Sequence, residues 1–120
     1  MSRVANRIIP ISAAEPSKSN GRALRPTDAP LTLDEAARTE WARLLKEAGP
    51  FTQRDRNALA SNSAAWSRWV EAEKQVAALG LVVKSAAGLP VPNPYLAIAA
   101  AAVRQMVSLG KSLGIARAKR

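Results

Sequence analysis

The side chains able to do chemistry in this 120-residue chain are almost all charged ones, because it contains neither histidine nor cysteine. Thiolate metal sites, disulfides and imidazole-based acid–base or triad catalysis are therefore outside its repertoire. Two carboxylates, Glu71 and Glu73, stand close together beside Lys74. Two residues apart on a helix, they point to different sides and cannot converge on one proton or metal ion, so they read as a solvated or intersubunit charged face. The nearest approach to a nucleotide-binding loop is Gly110-Lys111-Ser112, but Gln105 stands where a Walker loop needs its upstream glycine. No catalytic residue, metal ligand or cofactor is expected, and the chain should not hydrolyse ATP.

Basic residues are the remaining functional candidates. The net charge is +9, unevenly placed. Residues 1–30 carry Arg3, Arg7, Lys18, Arg22 and Arg25 against Glu15 and Asp28, a net +3. Residues 31–92 hold eight basic and seven acidic side chains, a net +1; residues 93–120 carry Arg104, Lys111, Arg117, Lys119 and Arg120 with no acid, a net +5. Basic ends on a near-neutral body suit a polyanion such as DNA, because each phosphate contact releases condensed counterions; solubility alone is the plainer explanation. Lys111, Arg117, Lys119 and Arg120 are candidates for phosphate contact. Arg54 and Arg56 flank Asp55 in what reads as the first turn of a helix, where a phosphate could be received or the charges simply solvated. Arg104, in the middle of an apolar helix, is expected to face a carboxylate such as Glu71 or Glu73, or an aqueous channel.

Helices must position these groups. Thr32 and Glu35 spell a capping box, and Leu33, Ala37, Trp41, Leu44, Leu45 and Ala48 form a stripe ending at Gly49-Pro50, a helix over about 33–48. Thr52 and Asp55, with Phe51 placed to staple the turn, open a second helix over about 53–79 that Gly80 can end. At ~1.5 Å per residue it would be about 40 Å long, more than the first helix can cover. Trp66 and Trp69 share a face of it and, with Trp41, read as core anchors rather than base-stacking platforms. Residues 81–92 form either a small hairpin, its second strand demoted by Pro90 and Pro92, or an extended loop.

The third helix, about 94–113, is capped by Asn93 and Pro94 at one end and Gly114 at the other, and is apolar on nearly every side. Leu96, Ala99, Ala100, Ala102, Val103, Met106 and Val107 give it more apolar surface than one subunit can cover, so they are candidates for an oligomer interface. Its apolar run falls short of the roughly 20 residues that span a bilayer, and Met1 to Ser12 lacks a signal-peptide core. The expected organisation is all-α: a disordered, proline-punctuated basic arm over 1–30, a helical core and oligomerisation domain over 31–114, and a basic tail over 115–120. The Ile8-Ile9-Pro10-Ile11 patch in the arm either docks on a partner or is residual.

Asn93-Pro94 followed by a small-residue helix carrying Arg104-Gln105-Met106, Leu109, Leu113 and Gly114 resembles the C-terminal signature of phage terminase small subunits. Leu31-Thr32, Trp41, Ala48-Gly49-Pro50-Phe51-Thr52, Asp55, Trp66, Trp69, Glu71-Ala72-Glu73 and Gly80-Leu81-Val82-Val83 match the rest of that pattern in order, over residues 31–114. Family members usually continue with a Thr-Pro segment and an Arg-rich short helix, whereas this sequence reads Ile115-Ala116-Arg117-Ala118-Lys119-Arg120, so that element's role is expected to be reduced.

The resemblance implies a non-catalytic subunit that forms a homo-oligomeric ring of about eight to ten copies. Such a ring binds viral double-stranded DNA near its packaging start and recruits and regulates a large terminase subunit bearing the ATPase and nuclease. An HNH endonuclease is a further implied partner, the host bacterial cytoplasm the implied location rather than the mature virion, and no membrane is involved. A small helical DNA-binding regulator or nucleoid-type protein is the competing reading, although no helix-turn-helix with a polar recognition helix is visible. A third is a structural oligomer or adaptor whose charge only keeps it soluble.

Overall fold

The computed structural model describes residues 22–115. The expected contact residues Arg3, Arg7, Lys18, Arg117, Lys119 and Arg120, and the Ile8–Ile11 patch, lie outside the described residues. Three helices, α1 (Glu35–Glu47), α2 (Arg56–Leu79) and α3 (Tyr95–Leu113), dominate the fold. Between α2 and α3 sits an antiparallel hairpin of β1 (Val82–Lys84) and β2 (Pro90–Pro92), so of the two alternatives for 81–92 the hairpin is the one that forms.

Local chemistry sets each helix end. The N-cap of α1 is Asp34, whose Oδ1 accepts from the Ala37 N–H at 2.9 Å, and not the expected Thr32. The cause is a turn in which the Leu33 N–H donates to the Pro30 carbonyl at 3.2 Å, which sinks Leu33 into the core and leaves Thr32 exposed. At the next helix the expected partnership holds: the Thr52 N–H donates to Asp55 Oδ2 at 3.1 Å, and a 3₁₀ turn at Gln53–Asp55 leads into α2. Asn93 does more than cap. Fully buried, it accepts from the Tyr95 N–H at 2.9 Å through Oδ1 and donates to the Gly80 carbonyl at 2.8 Å through Nδ2, tying the start of α3 to the end of α2. Gly114, at φ +79°, supplies the left-handed residue that ends α3.

Helices α2 and α3 lie antiparallel, as shown by three levels of contact. Asn93 meets Gly80 at the hairpin neck, Arg68 Nη2 donates to Gln105 Oε1 at 2.6 Å midway, and Ile115 joins Leu59 in the core at the far end. The residues buried along this pair are small: Ala65 and Ala72 on α2, Ala99, Ala102 and Gly110 on α3. Small side chains let two helices approach closely, but they bury little apolar area. Four larger apolar residues of α3, Leu96, Ile98, Val103 and Val107, are left exposed, while Leu113 packs against the core.

The hydrophobic core lies at the end of the molecule away from the hairpin, where Leu24, Ala29, Leu33, Ala37, Trp41, Leu44, Phe51, Leu59 and Ile115 pack together. Residues 22–30, expected to be part of a disordered arm, instead form a strap across this head. The Leu24 N–H donates to the Phe51 carbonyl at 2.7 Å, Ala23 bridges Thr52, and the Trp41 indole donates to the Arg25 carbonyl at 3.1 Å. Arg38 clamps the strap's end, giving hydrogen bonds to the Leu33 and Pro30 carbonyls at 3.1 and 3.0 Å. Burial of Leu24 and Ala29, with the N–H groups of Leu24, Arg25, Asp28 and Ala29 hydrogen-bonded, offsets the ordering entropy that the proline-rich composition suggests would win.

Candidate functional site

Of the expected phosphate-contact residues, the structure brings Arg22, Arg25 and Arg56 together at Asp28, and Arg54 is exposed on the turn before α2. Strap residue Ala23 pairs with Thr52, so Arg22 and Arg25 run beside the turn that carries Arg54 and Arg56 into α2. At the centre is Asp28, in a 3₁₀ turn over Pro26–Asp28. Its carboxylate accepts from the Arg25 backbone N–H at 2.8 Å, and it pairs with Arg22 Nη1 and Arg25 Nη2, each at 3.3 Å. The Asp28 carbonyl accepts from Arg56 Nε, also at 3.3 Å. The Arg25 backbone N–H first, then the Arg25 guanidinium, hold the Asp28 carboxyl at about 2 rather than the usual 3.8. Asp28 thus engages three arginines from two chain segments, Arg22 and Arg25 through its carboxylate and Arg56 through its backbone carbonyl. Pro26 at the first position of the turn and an acid two residues on are a capping signature that could have singled out Asp28 in the sequence.

Lys111 is separate. It sits in the last turn of α3 and is exposed, as the positive side chain that a helix C-terminus favours. Arg104 is exposed and makes no ion pair among the described residues, so the expected pairing with Glu71 or Glu73 is corrected: its side of α3 faces outward, and no buried charge needs neutralising. Arg43, by contrast, is saturated by Glu40 at 2.6 and 2.7 Å and by Glu47 at 2.7 Å. The Glu40 hydrogen bonds, ahead of the other influences, push its already high pKa further up.

The expected interface residues divide into two sets. Ala99 and Ala102 are buried inside the subunit, so their assignment to an intersubunit contact is corrected: α2 takes up that stripe of α3. Leu96, Ala100, Val103 and Val107 are exposed, and Met106 is half-buried. They are joined by Ile98, and at the hairpin by Leu81, Val82 and Leu89, each more than 60% exposed. Trp41 is fully buried as a core anchor, but Trp66 and Trp69 are only half-buried and pack on each other, ring centres 5.3 Å apart. They stand outside the main core.

A small surface pocket of about 150 Å³ lies between α1 and α2, lined by Thr32, Leu33, Asp34, Ala37, Ala64, Ser67 and Arg68. Its carboxylate is already engaged: Asp34 accepts from Ser67 Oγ at 2.9 and 2.6 Å as well as from Ala37. Among the described residues, no group of three or more acidic side chains is placed to hold a metal ion. No described helix is long and apolar enough to cross a membrane.

Comparison with curated proteins and with solved structures gives no match. A family model described as phage terminase, small subunit, matches residues 37–120, which takes in α1 from Ala37 onward, α2, the β-hairpin, α3 and the residues that follow. With well over half of its length matched, the chain belongs to the phage terminase small subunit family.

Proposed function

We propose that this subunit assembles into a ring in the host cytoplasm, binds viral double-stranded DNA through its head, and presents that DNA to the large terminase subunit, whose ATPase it regulates. The observation that carries this reading is the shared burial of Leu24 and Ile115 in one core. The basic arm joins the described chain at Arg22, and the sequence after Ile115 runs into Arg117, Lys119 and Arg120, so both basic ends are tethered to the head that holds Arg54 and Arg56. Charge gathered at one pole supports contact with a polyanion, and the body, near neutral over 31–92, is left for assembly.

Support for a ring comes from the outer face of α3. The helix pair spends its alanines on the internal seam and leaves Leu96, Val103 and Val107 exposed along one side of α3 and Ile98 on another, apolar surface of the kind that a neighbouring copy covers. Head-to-tail repetition of such a contact closes into a ring when the rotation permits.

The test combines the purified subunit, duplex DNA and the large subunit, and follows ATP hydrolysis. The subunit alone should be inactive, and its addition should change the large subunit's rate in the presence of DNA. ATP hydrolysis by the subunit alone would sink the reading; DNA binding without any effect on the large subunit would favour a small DNA-binding regulator.

A further inference from the structure

We infer that Arg22, Arg25 and Arg56, gathered around Asp28, form the site at which this subunit grips the phosphodiester backbone of duplex DNA. The inference rests on the DNA-binding reading above and locates it. Three features of the cluster carry it.

The first is charge. Arg22 and Arg25 pair with the Asp28 carboxylate and Arg56 holds its backbone carbonyl, so three guanidiniums face one carboxylate and the cluster keeps a net +2 at a point fixed by the fold. The second is unspent hydrogen-bonding capacity. A guanidinium offers five N–H donors. Arg22 bonds Asp28 only through Nη1, Arg25 uses Nε and Nη2, and Arg56 uses Nε for a backbone carbonyl. The side chains of Arg22 and Arg25 remain 44% and 62% exposed. Their bonds to Asp28 are 3.3–3.5 Å long, whereas the Arg43 pair with Glu40 is closed at 2.6–2.7 Å. Long, exposed contacts to a carboxylate exchange readily for contacts to phosphate, while a closed bidentate pair does not.

The third is preorganisation. The Arg25 carbonyl is held by the Trp41 indole, its N–H by Asp28, and Ala23 by Thr52, so the backbone presenting the cluster is anchored before any ligand arrives. Anchored donors lose less entropy on binding than free side chains. Elsewhere in the described chain Arg38 holds backbone carbonyls, Arg43 is paired with Glu40 and Glu47, Arg68 bonds Gln105, and Lys46, Arg54, Lys74, Lys84, Arg104 and Lys111 are exposed on separate elements or turns. No second cluster of this kind forms there.

The experiment is a fluorescence-anisotropy titration of the full chain against a duplex of about 30 base pairs over a range of salt concentrations. The double variant R22Q/R25Q should lower the slope of log K against log salt by about 1 to 2 and weaken binding about tenfold or more at low salt. R56Q, checked by thermal melting for an intact fold, should lower it by about 1. D28N keeps an oxygen for the Arg25 N–H but removes the competing charge, and should tighten binding. K84Q/R104Q removes the same charge as R22Q/R25Q from the hairpin and the middle of α3 and should leave the slope unchanged. Equal losses in the two double variants, or none in R22Q/R25Q, would overturn the site. So would poly-glutamate displacing DNA at equimolar charge, since the cluster would then serve an acidic protein segment. Absence of DNA binding by the unmutated chain would instead remove the reading on which the site rests.

Discussion

The Ser67 hydroxyl lies 2.9 and 2.6 Å from the two carboxylate oxygens of Asp34, joining the first turn of α1 to the middle of α2. The same carboxylate caps α1 through Ala37, so one side chain both starts a helix and docks it. Asp34→Ala should cost about 1–2 kcal/mol from the lost cap, and Ser67→Ala about 1 kcal/mol. A double-mutant cycle by urea unfolding should show the two coupled; simple additivity would mean that the contact contributes nothing.

Acid should weaken the fold in a defined window. Asp28 is held at about 2 in place of 3.8, and Asp34 is lowered by the Ser67 hydroxyl first and the Ala37 N–H second. A depressed folded-state pKa gives stability that is present above the unfolded value and is lost as pH falls through the folded one. Thermal midpoints should therefore hold steady from pH 7 to about 5 and fall between about 4 and 2. In Asp34→Ala the fall should be smaller, and an unchanged fall would leave Asp34 out of it.

Substitutions one turn of argument apart on α3 should separate assembly from folding. Ala100 is exposed, so Ala100→Glu should leave the helical signal intact and lower the solution mass from that of the proposed ring to that of smaller species. Ala102 is buried against the helix pair's seam, so Ala102→Glu should unfold the subunit, an uncompensated buried charge costing several kcal/mol. Sedimentation with circular dichroism distinguishes the two. A monomeric wild type at micromolar concentration would end the ring proposal.

Gly49 follows the end of α1 at a point where a Cβ would stand 2.5 Å from the Leu45 carbonyl oxygen. Backbone cannot yield as a side-chain tip can, so Gly49→Ala should destabilise the head by about 1–3 kcal/mol in chemical denaturation. A neutral result would show that the loop has room to shift.

Ile115 should behave as part of the core although it lies past the last turn of α3. Ile115→Ala should cost about 2–4 kcal/mol. Removing residues 116–120 should leave the melting midpoint unchanged while flattening the salt dependence of DNA binding. A truncation that melts early would give the tail a structural part.

Helix ends were legible because single residues with local chemistry write them: Thr52 with Asp55, Asn93, and Gly114. The head's strap was not, because nothing in Arg22 to Pro30 beyond Leu24 and Ala29 announces burial, and those two are held by partners far along the chain, Phe51 and Trp41 among them. The apolar surplus of α3 was visible as a surplus, but its division was not. Which stripe α2 covers depends on the seam's register, and the alanines won it because they permit the closest approach. Trp66 and Trp69 obey helical spacing whether they lie in a core or on a surface, and periodicity cannot tell those apart. The convergence of Arg22, Arg25 and Arg56 on Asp28 was hidden for the same reason as the strap: the Ala23–Thr52 pairing that helps create it is tertiary.

The hairpin carries its own rule about company. Leu81 pairs with Asn93 and Ser85 with Leu89 through hydrogen bonds, so by alternation Pro90 and Pro92 occupy the positions whose backbone faces away from β1. Proline has no N–H, and that side of the hairpin can only accept hydrogen bonds. A strand from an adjacent copy would find half a ladder there, too little to zip the tips together. In the proposed ring the hairpins would thus end as separate apolar fingers, a crown of individual prongs at the pole opposite the arginines.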